Sequence, residues 1–431
     1  MKKFYNVLIN TLIANVTTSF LWFALTFWLY LETLNVMTTA IVGGSYMLFV
    51  AIFSLVFGTI VDHNKKKHVM IASSVITFSA YLIAGGLFLI FPQSDLVSLN
   101  AVGFWLFAGI ILIGGVIENM RNIALSTTVT LLVPKDDRAK ANGMVGGVQG
   151  IAFLVTSVFS GLSIGFLGMG WTLVIAIVLT GVALVHLLFV SIPEDKILHD
   201  PELGNKKIDI KGSIAAIRAV PGLFALIIFS TFNNLIGGVF MALMDPYGLT
   251  LFDVQIWGIV LGITSTGFII GGAIIAKKGL GKNPVKTLLL VNIAVGLLGM
   301  VFTLREWWLL YVVGMLIFMA LIPFAEAAEQ TIIQRVVPFK RQGRVFGFAQ
   351  SIEAAAAPIT AFLIGPIAQL ALIPYMNTQT GKDQLGWLLG AGEARGIALV
   401  FLIAGFIGIV VTLIAFKTKS YKLLSKSYEE S

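Results

Sequence analysis

The chain has 431 residues, of which 58% are hydrophobic and only 12% charged, against about 25% charged in soluble globular domains. It holds no cysteine, which excludes disulfides, thiolate metal sites and cysteine nucleophiles, and its four histidines stand apart without metal-binding spacing, so no metal and no cofactor is expected. A net charge of +8 would suggest nucleic acid in a soluble protein, but in so apolar a chain its meaning depends on the side of a membrane on which each charge lies.

Twelve apolar stretches long enough for tilted transmembrane helices run through the sequence, at 8–31, 39–61, 69–91, 101–127, 142–165, 170–192, 217–244, 254–276, 284–304, 307–334, 344–371 and 394–416. The fold class expected is therefore an all-α integral membrane protein with the lipid bilayer as its solvent. The first stretch begins with Lys2 and Lys3, but it is longer than the core of a signal peptide and lacks a small-residue cleavage site, so it reads as a retained span. Asn15, Thr18, Ser19, Trp22 and Thr26 lie on one of its faces, a polar stripe suited to the wall of a wet cavity, with Trp22, Phe23 and Phe27 offering apolar contacts. Between the second and third spans, "GTIVDHNKKKH" (Gly58 to His68) gathers one acid, two histidines and three lysines.

The fourth span carries Glu118, Arg121 and Asn122. An ionisable residue at the centre of a span costs roughly 2.5–3.5 kcal/mol, so each is a candidate for function. Glu118 and Arg121 are i,i+3 and suited to pairing, with the arginine holding the glutamate ionised. A cavity-lining role is expected for them and for Asn122; the alternative is a salt bridge reaching the cytoplasmic surface.

The longest polar stretch between spans, "PEDKILHDPELGNKKIDIKG" (Pro193 to Gly212), divides the spans six and six. The domains expected are a first bundle at 1–192, a cytoplasmic loop at 193–216 and a second bundle at 217–431. The seventh span places Asn233, Asn234, Gly237 and Met241 in the part of its half that matches the stripe of the first span. In the tenth, "IPFAEAAEQTIIQR", Glu326, Glu329, Gln330 and Ile333 share one face after Pro323, and Glu353 follows in the eleventh. A carboxyl group partly withdrawn from water between helices can exchange a proton near neutral pH, and when ionised it attracts a cationic substrate. Glu326, the deepest, is the leading candidate for proton coupling, followed by Glu329, Glu353 and Glu118.

With the N-terminus inside, all of the 29 Lys and Arg except Arg121, Arg305, Lys382 and Arg395 fall on the inner side. The positive-inside rule then places both termini and the 193–216 loop in the cytoplasm, and no nucleic acid is needed to explain the charge. There is neither a phosphate-binding GxxxxGK[ST] loop nor a G-x-S-x-G elbow, so neither ATP-driven transport nor hydrolysis is expected and the chain does not read as an enzyme.

The two halves echo each other. "VPKDDRAKANG" (Val133 to Gly143) and "VPFKRQGRVFG" (Val337 to Gly347) match at 133/337, 134/338, 140/344 and 143/347, an internal repetition typical of secondary transporters. The 6+6 arrangement, these repeats, and Gly58-x-x-x-Asp62-x-x-Lys65-Lys66-Lys67 between the second and third spans together resemble the major facilitator superfamily over essentially the whole chain. The segments "LLVPKDDRAKANGMVGGVQG" and "VVPFKRQGRVFGFAQS" are similar to the macrolide and multidrug branch of drug:proton antiporters, and "KANG" is also similar to a lysophospholipid transporter subfamily. Two family features differ: Gly114 stands where many members carry an arginine, and the G-P pair expected in the fifth span occurs instead as Gly365-Pro366 in the eleventh.

The resemblance implies two pseudo-symmetric six-helix bundles that rock around a central cavity in a bacterial cytoplasmic membrane. It also implies a monomer that exports a small amphipathic, often cationic, substrate in exchange for protons. The alternatives are a transporter of lysophospholipid-like metabolites and, remotely, a membrane-embedded enzyme or receptor. It further implies a cytoplasmic gate in which Gly58 permits close approach of the eleventh helix while Asp62 faces its N-terminus near Gly343 and Arg344. Lys65, Lys66 and Lys67 are expected only to hold the loop inside. The second half's counterpart, "GGAIIAKKGLGKN", has Ala276 at the aspartate's place, so the latch should be one-sided.

Overall fold

A computed structural model describes residues 2–33, 36–194, 210–390, 392 and 394–431. Most of the expected 193–216 loop, at 195–209, lies outside the described residues. No strand occurs among the described residues. A helix satisfies its own backbone groups, which hydrocarbon cannot do, so apolar runs of this length fold as helices.

The elements in chain order are α1 (Lys2–Thr33), α2 (Val36–His63), α3 (Lys66–Ile90), α4 (Gln93–Val97), α5 (Val102–Leu132), α6 (Arg138–Phe189), α7 (Ile210–Arg218) and α8 (Leu223–Leu251). There follow α9 (Val254–Lys278), α10 (Pro284–Val301), α11 (Trp308–Val336), α12 (Phe339–Pro366), α13 (Ile373–Asn377), α14 (Gln379–Leu389), α15 (Ala394–Lys417) and α16 (Lys419–Glu430). A π-helical turn, Ile367–Leu372, joins α12 to α13.

Ten helices among the described residues are long and apolar enough to cross a membrane, fewer than the twelve spans read from the sequence. One physical reason is the length of α6. The 52-residue α6 covers the expected fifth and sixth spans, breaking at Gly168, where φ is 74° and only glycine sits without strain. The expected eleventh span falls on α12, part of which, at 357, 358, 361, 362 and 365, lies outside the residues whose side chains are described.

The chain forms two compact units, and α12 belongs partly to each. The first unit holds Met1–Ala141, Val148–Ala216 and Val337–Ser351; the second holds Asn142–Gly147, Ile217–Val336 and Ile352–Ser431. The core of the first packs Leu21, Leu25, Trp28, Tyr81, Phe104 and Phe107 from α1, α3 and α5. The core of the second is more aromatic: Phe240 lies 5.3 Å from Phe318 and 5.2 Å from Phe401, and Tyr247 lies 4.8 Å from Tyr311. Large apolar side chains such as Phe166, Phe189 and Leu370 remain exposed on the outside of the helices, as lipid contact requires.

Arg395, placed from the sequence on the side away from the basic loops, is only 1% exposed and anchors one end of the second unit. Its guanidinium donates to Tyr247 Oη (2.8 Å), Thr303 O (3.1 Å) and Leu389 O (3.0 Å), and its Nε lies 3.0 Å from Glu306 Oε1. These four partners tie α8, α14 and α15 to the 302–307 connection.

Candidate functional site

Three sets of polar groups interrupt the apolar packing: a crossing of α2 and α12, a sealed ionic network on α5, and a glutamate cluster on α11 and α12.

In the first unit, α2 presents Ser54, Gly58 and Asp62 at intervals of one turn, and α12 presents Gly343, Gly347 and Ser351 at the same intervals. Small residues at this spacing let two backbones touch. A Cβ added to Gly58 would stand 2.5 Å from Gly343 O and 3.0 Å from the Cα atoms of Arg344 and Gly347. The Ser351 hydroxyl donates to Ala51 O across the same crossing. At its end Asp62, 3% exposed, accepts three hydrogen bonds: its Oδ1 from Gly343 N at 2.6 Å, and its Oδ2 from Arg344 N and Nε, both at 3.0 Å.

The three lysines after Asp62 do not share one role. Lys65 and Lys67 are half-buried, and Lys67 donates to Leu188 O at 2.9 Å, but Lys66 is 3% exposed. Its Nζ lies 3.3 Å from Glu194 Oε1, donates to Val61 O (2.8 Å) and Asn64 O (3.1 Å), and sits 5.1 Å from the centre of the Phe339 ring, while its backbone N–H donates to Glu194 Oε2 at 2.7 Å. The expectation that Lys66 only marks the cytoplasmic side is thereby corrected: its charge is neutralised inside the protein. Lys66→Met should lower stability by about 3–5 kcal/mol, because it leaves the Glu194 carboxylate without its buried counter-charge. A fall in the melting temperature of the detergent-solubilised protein would show this.

A second crossing of the same kind lies in the second unit. A Cβ added to Gly272 on α9 would stand 2.6 Å from Gly147 N and 2.7 Å from Gly143 O. Gly143 and Gly147 of α6 thus meet Gly272 as Gly343 and Gly347 of α12 meet Gly58. The structural equivalence is 143 with 343 and 147 with 347, one helical turn away from the 143/347 match read from the sequence. Gly143 abuts Ala276 where Gly343 abuts Asp62, so here the aspartate's place holds no charge. The polar contact on this side is uncharged: Asn142 Nδ2 donates to Thr331 Oγ1 (2.9 Å) and Gln334 Oε1 (2.8 Å).

On α5, Glu118 and Arg121 pair as their spacing predicts, with Arg121 Nε 3.3 Å from Glu118 Oε1. The expectation that they line a cavity is corrected by their burial, since Glu118 is 4% and Arg121 0% exposed. Arg121 donates to Ser74 Oγ (3.1 Å) and Asn10 Oδ1, Ser73 Oγ lies 3.4 Å from Glu118 Oε2, and Asn10 donates in turn to Ala183 O (2.7 Å). Groups on α1, α3 and α6 therefore satisfy the pair inside the first unit. Asn122 is half-buried and is not among the residues lining the cavity beside α1.

The polar stripe of α1 is split. Thr18, Ser19 and Trp22 line a cavity of about 50 Å³ together with Tyr46, Tyr81, Ile111 and Gly115. That volume suits one or two waters and is far below the several hundred Å³ of a drug-sized site. Thr26 instead donates to Phe23 O at 2.8 Å, and Asn15 is half-buried away from this cavity. On α8, Asn233 and Gly237 are half-buried while Asn234 and Met241 are exposed, with open space where a Gly237 Cβ would stand.

The glutamates of the second unit form one cluster. Glu329 on α11 and Glu353 on α12 are half-buried, each with a buried Oε1 that accepts no hydrogen bond, and Ser230 of α8 is 5% exposed. Glu326, one turn before Glu329, is exposed. Neither Ser230 nor the Asn10, Ser73 and Ser74 set was found from sequence, because single small polar residues in apolar runs carry no periodic signal. No group of three or more metal-ligating side chains that could hold a metal ion occurs among the described residues.

A sequence model of the Major Facilitator Superfamily matches residues 7–361. Macrolide efflux protein A of Streptococcus pyogenes is 24% identical over 376 residues, covering 83% of this chain and 87% of that protein. Macrolide efflux protein A of Enterococcus faecalis is 24% identical over 328 residues, covering 72% and 94%. Among solved structures, a bacterial homologue of the iron transporter ferroportin in an outward-facing state aligns with a TM-score of 0.69 at 15% identity, covering 97% of this chain and all of that one. A proton:xylose symporter of the major facilitator superfamily aligns with a TM-score of 0.67 at 13% identity, covering 98% of each chain.

Proposed function

Because the chain belongs to the major facilitator superfamily, a family of membrane transporters for small molecules, we propose that it exports amphipathic, often cationic, compounds in exchange for protons. The observation that carries this reading is the glutamate cluster on α11 and α12. An exposed carboxyl group, Glu326, stands one turn from the half-buried Glu329 in a helix that is otherwise apolar, and Glu353 follows on α12, so acidic groups are held where a cation or a proton can be exchanged. The two macrolide efflux relatives support export of a bulky amphipathic substrate rather than uptake of a nutrient.

In this reading the protein is a monomer of a bacterial cytoplasmic membrane with both termini inside. Residues 1–192 and 217–431 act as two bundles that open alternately to each side. The Asp62 contact with α12 is the cytoplasmic latch, held when that side is shut and broken when it opens. The polar and apolar residues of α8, namely Asn233, Asn234, Gly237 and Met241, and those of α1 serve as adaptable substrate contacts.

The test is accumulation of a fluorescent cationic dye in cells with and without the protein, followed by addition of an uncoupler. Expression should lower accumulation and the uncoupler should restore it, whereas Glu326→Gln should reduce efflux about tenfold, as loss of a charge contact of 1.4 kcal/mol or more would. Efflux by Glu326→Gln at the normal rate would remove the assignment of that residue. Movement of a labelled lysophospholipid but not of dye in proteoliposomes would replace the drug reading by the lipid one.

A further inference from the structure

The second unit holds a cavity to which the transport reading gives no role. It lies where α8 ends, beside α13 and the start of α15, and has a volume of about 710 Å³. Its walls are Thr250 of α8, Ile373, Pro374 and Asn377 of α13, the adjoining Thr378, and Ala394 and Ile397 of α15. Ala394 and Ile397 are buried and form the floor, whereas Thr250, Pro374, Asn377 and Thr378 are exposed and form the rim. A volume of this size falls within the roughly 300–1,000 Å³ of sites for small organic molecules.

The walls are held rigidly. Arg395, which stands between the two floor residues in sequence, donates to Tyr247 Oη of α8 at 2.8 Å and to Leu389 O of α14 at 3.0 Å, so the start of α15 is fixed to α8. A Cβ added to Gly396 would collide with Ile373 Cα and stand 2.8 Å from Ile373 N, so α13 is seated directly on α15.

The lining selects its occupant. Among the described residues no charged side chain lines the cavity, and a charge buried there would lose its hydration without a partner. The Thr250 hydroxyl donates to Tyr247 O and the Thr378 hydroxyl to Tyr375 O, both at 2.7 Å, so each offers the cavity an oxygen acceptor only. Asn377 adds an amide with both donor and acceptor. Leu249, beside Thr250, and Leu370, three residues before Ile373, are exposed as lipid-facing side chains are. Trp307, Trp308 and Trp387 are exposed at the same end of the unit, where Arg305 donates to Trp387 O at 3.0 Å, an arrangement suited to the aromatic belt at a membrane surface.

We propose that this cavity binds an uncharged lipid with a hydroxyl-bearing head, taken up sideways from the bilayer. The head donates to Thr250 and exchanges hydrogen bonds with Asn377, while the chain covers Ile373, Ala394 and Ile397. The site stands apart from the glutamate cluster: Tyr311, which bonds Met244 O at this end, and Glu326 are fifteen residues apart on α11, a rise of about 22 Å at 1.5 Å per residue. Such a lipid does not compete with a cation at Glu326, and its binding requires no proton exchange.

The experiment places the full-length protein in phosphatidylcholine nanodiscs with a trace of a monoacylglycerol that carries a photoreactive diazirine in its chain. After irradiation, peptide mass spectrometry should find at least about tenfold more label on residues 373–377 and 394–397 than on the lipid-facing stretch of α6 around Phe166, as a site of real affinity requires. A lysophosphatidic acid with the same chain and photoreactive group should show no such preference, because its anionic head finds no counter-charge in the rim. Thr250→Trp, which fills the cavity from its exposed rim, should cut the preference to about twofold or less while labelling of α6 stays unchanged. Asn377→Ala should lower it about fivefold, the loss of one uncharged hydrogen bond.

Even labelling of the two regions overturns the proposal, and so does a preference that both variants leave intact. An equal preference for the anionic probe also overturns it, since the cavity would then be an ordinary lipid contact. Both substitutions fall on exposed side chains, size-exclusion profiles show which variant is folded, and either one decides the question.

Discussion

Asp62→Asn should lower the rate of transport by about a hundredfold while changing equilibrium substrate binding by less than about twofold. The side chain is buried and accepts from Gly343 N, Arg344 N and Arg344 Nε at 2.6–3.0 Å. Removing one partner of such a buried charged contact costs about 3–5 kcal/mol, and the amide, which keeps one acceptor oxygen, should fall at the low end of that range. A change of that size alters the ratio of latched to unlatched molecules by about 10²–10³, because each 1.4 kcal/mol is a factor of ten. Binding is spared because Asp62 lies at the end of α2, outside the glutamate cluster. Initial rates in proteoliposomes beside equilibrium binding of the same compound measure the two quantities, and a wild-type rate for Asp62→Asn would end the latch proposal.

Gly58→Val should be still more damaging. The atom closest to an added Cβ is the backbone oxygen of Gly343, 2.5 Å away, with the Cα atoms of Arg344 and Gly347 next at 3.0 Å. Overpacking usually costs about 1–3 kcal/mol because side chains rotate aside, but backbone cannot, so the crossing itself must open. The expected result is loss of transport together with lasting exposure of the α2 and α12 faces. The chain contains no cysteine, so a single Ser351→Cys can report that exposure without background. Its thiol should react with a water-soluble maleimide at least about tenfold faster when Gly58 is replaced, in line with a cost above 1.4 kcal/mol for the closed crossing. Equal labelling rates would show that the crossing tolerates the side chain. Gly272→Ala probes the equivalent crossing of the second unit, where an added Cβ meets Gly147 N and Gly143 O at 2.6 and 2.7 Å.

The crossing at Gly58 was legible because its spacing, a missing side chain and an acid one turn later at the end of a helix, has a direct physical meaning and a family signature. The Glu118–Arg121 pair was legible for the same kind of reason, since i,i+3 spacing places both on one face. Their surroundings were not. Lys66 meets Glu194 across 128 residues, and Arg121 meets Asn10 across 111, separations at which a single sequence gives no register. Burial was the hardest property to read: Arg121 suggests a cavity wall by its charge alone, whereas four packed helices make it an internal anchor. The spans were read well where hydropathy is uniform and less well at α6, where one glycine does the work of a loop.

The polar helix α12 carries both Arg344 and Glu353. Arg344 and Glu353 are nine residues apart on α12, a rise of about 13.5 Å at 1.5 Å per residue. Over two and a half turns an unbroken helix is stiff, so a movement at Glu353 reaches Arg344 without loss, as at the far end of a lever. The Asp62 contacts at 3.0 Å are outside hydrogen-bonding range once they lengthen by roughly half an ångström. With an arm of about 13.5 Å, a tilt of only a few degrees about Glu353 moves Arg344 that far. A displacement near Glu353 smaller than the width of an atom is then enough to break the Asp62 contacts.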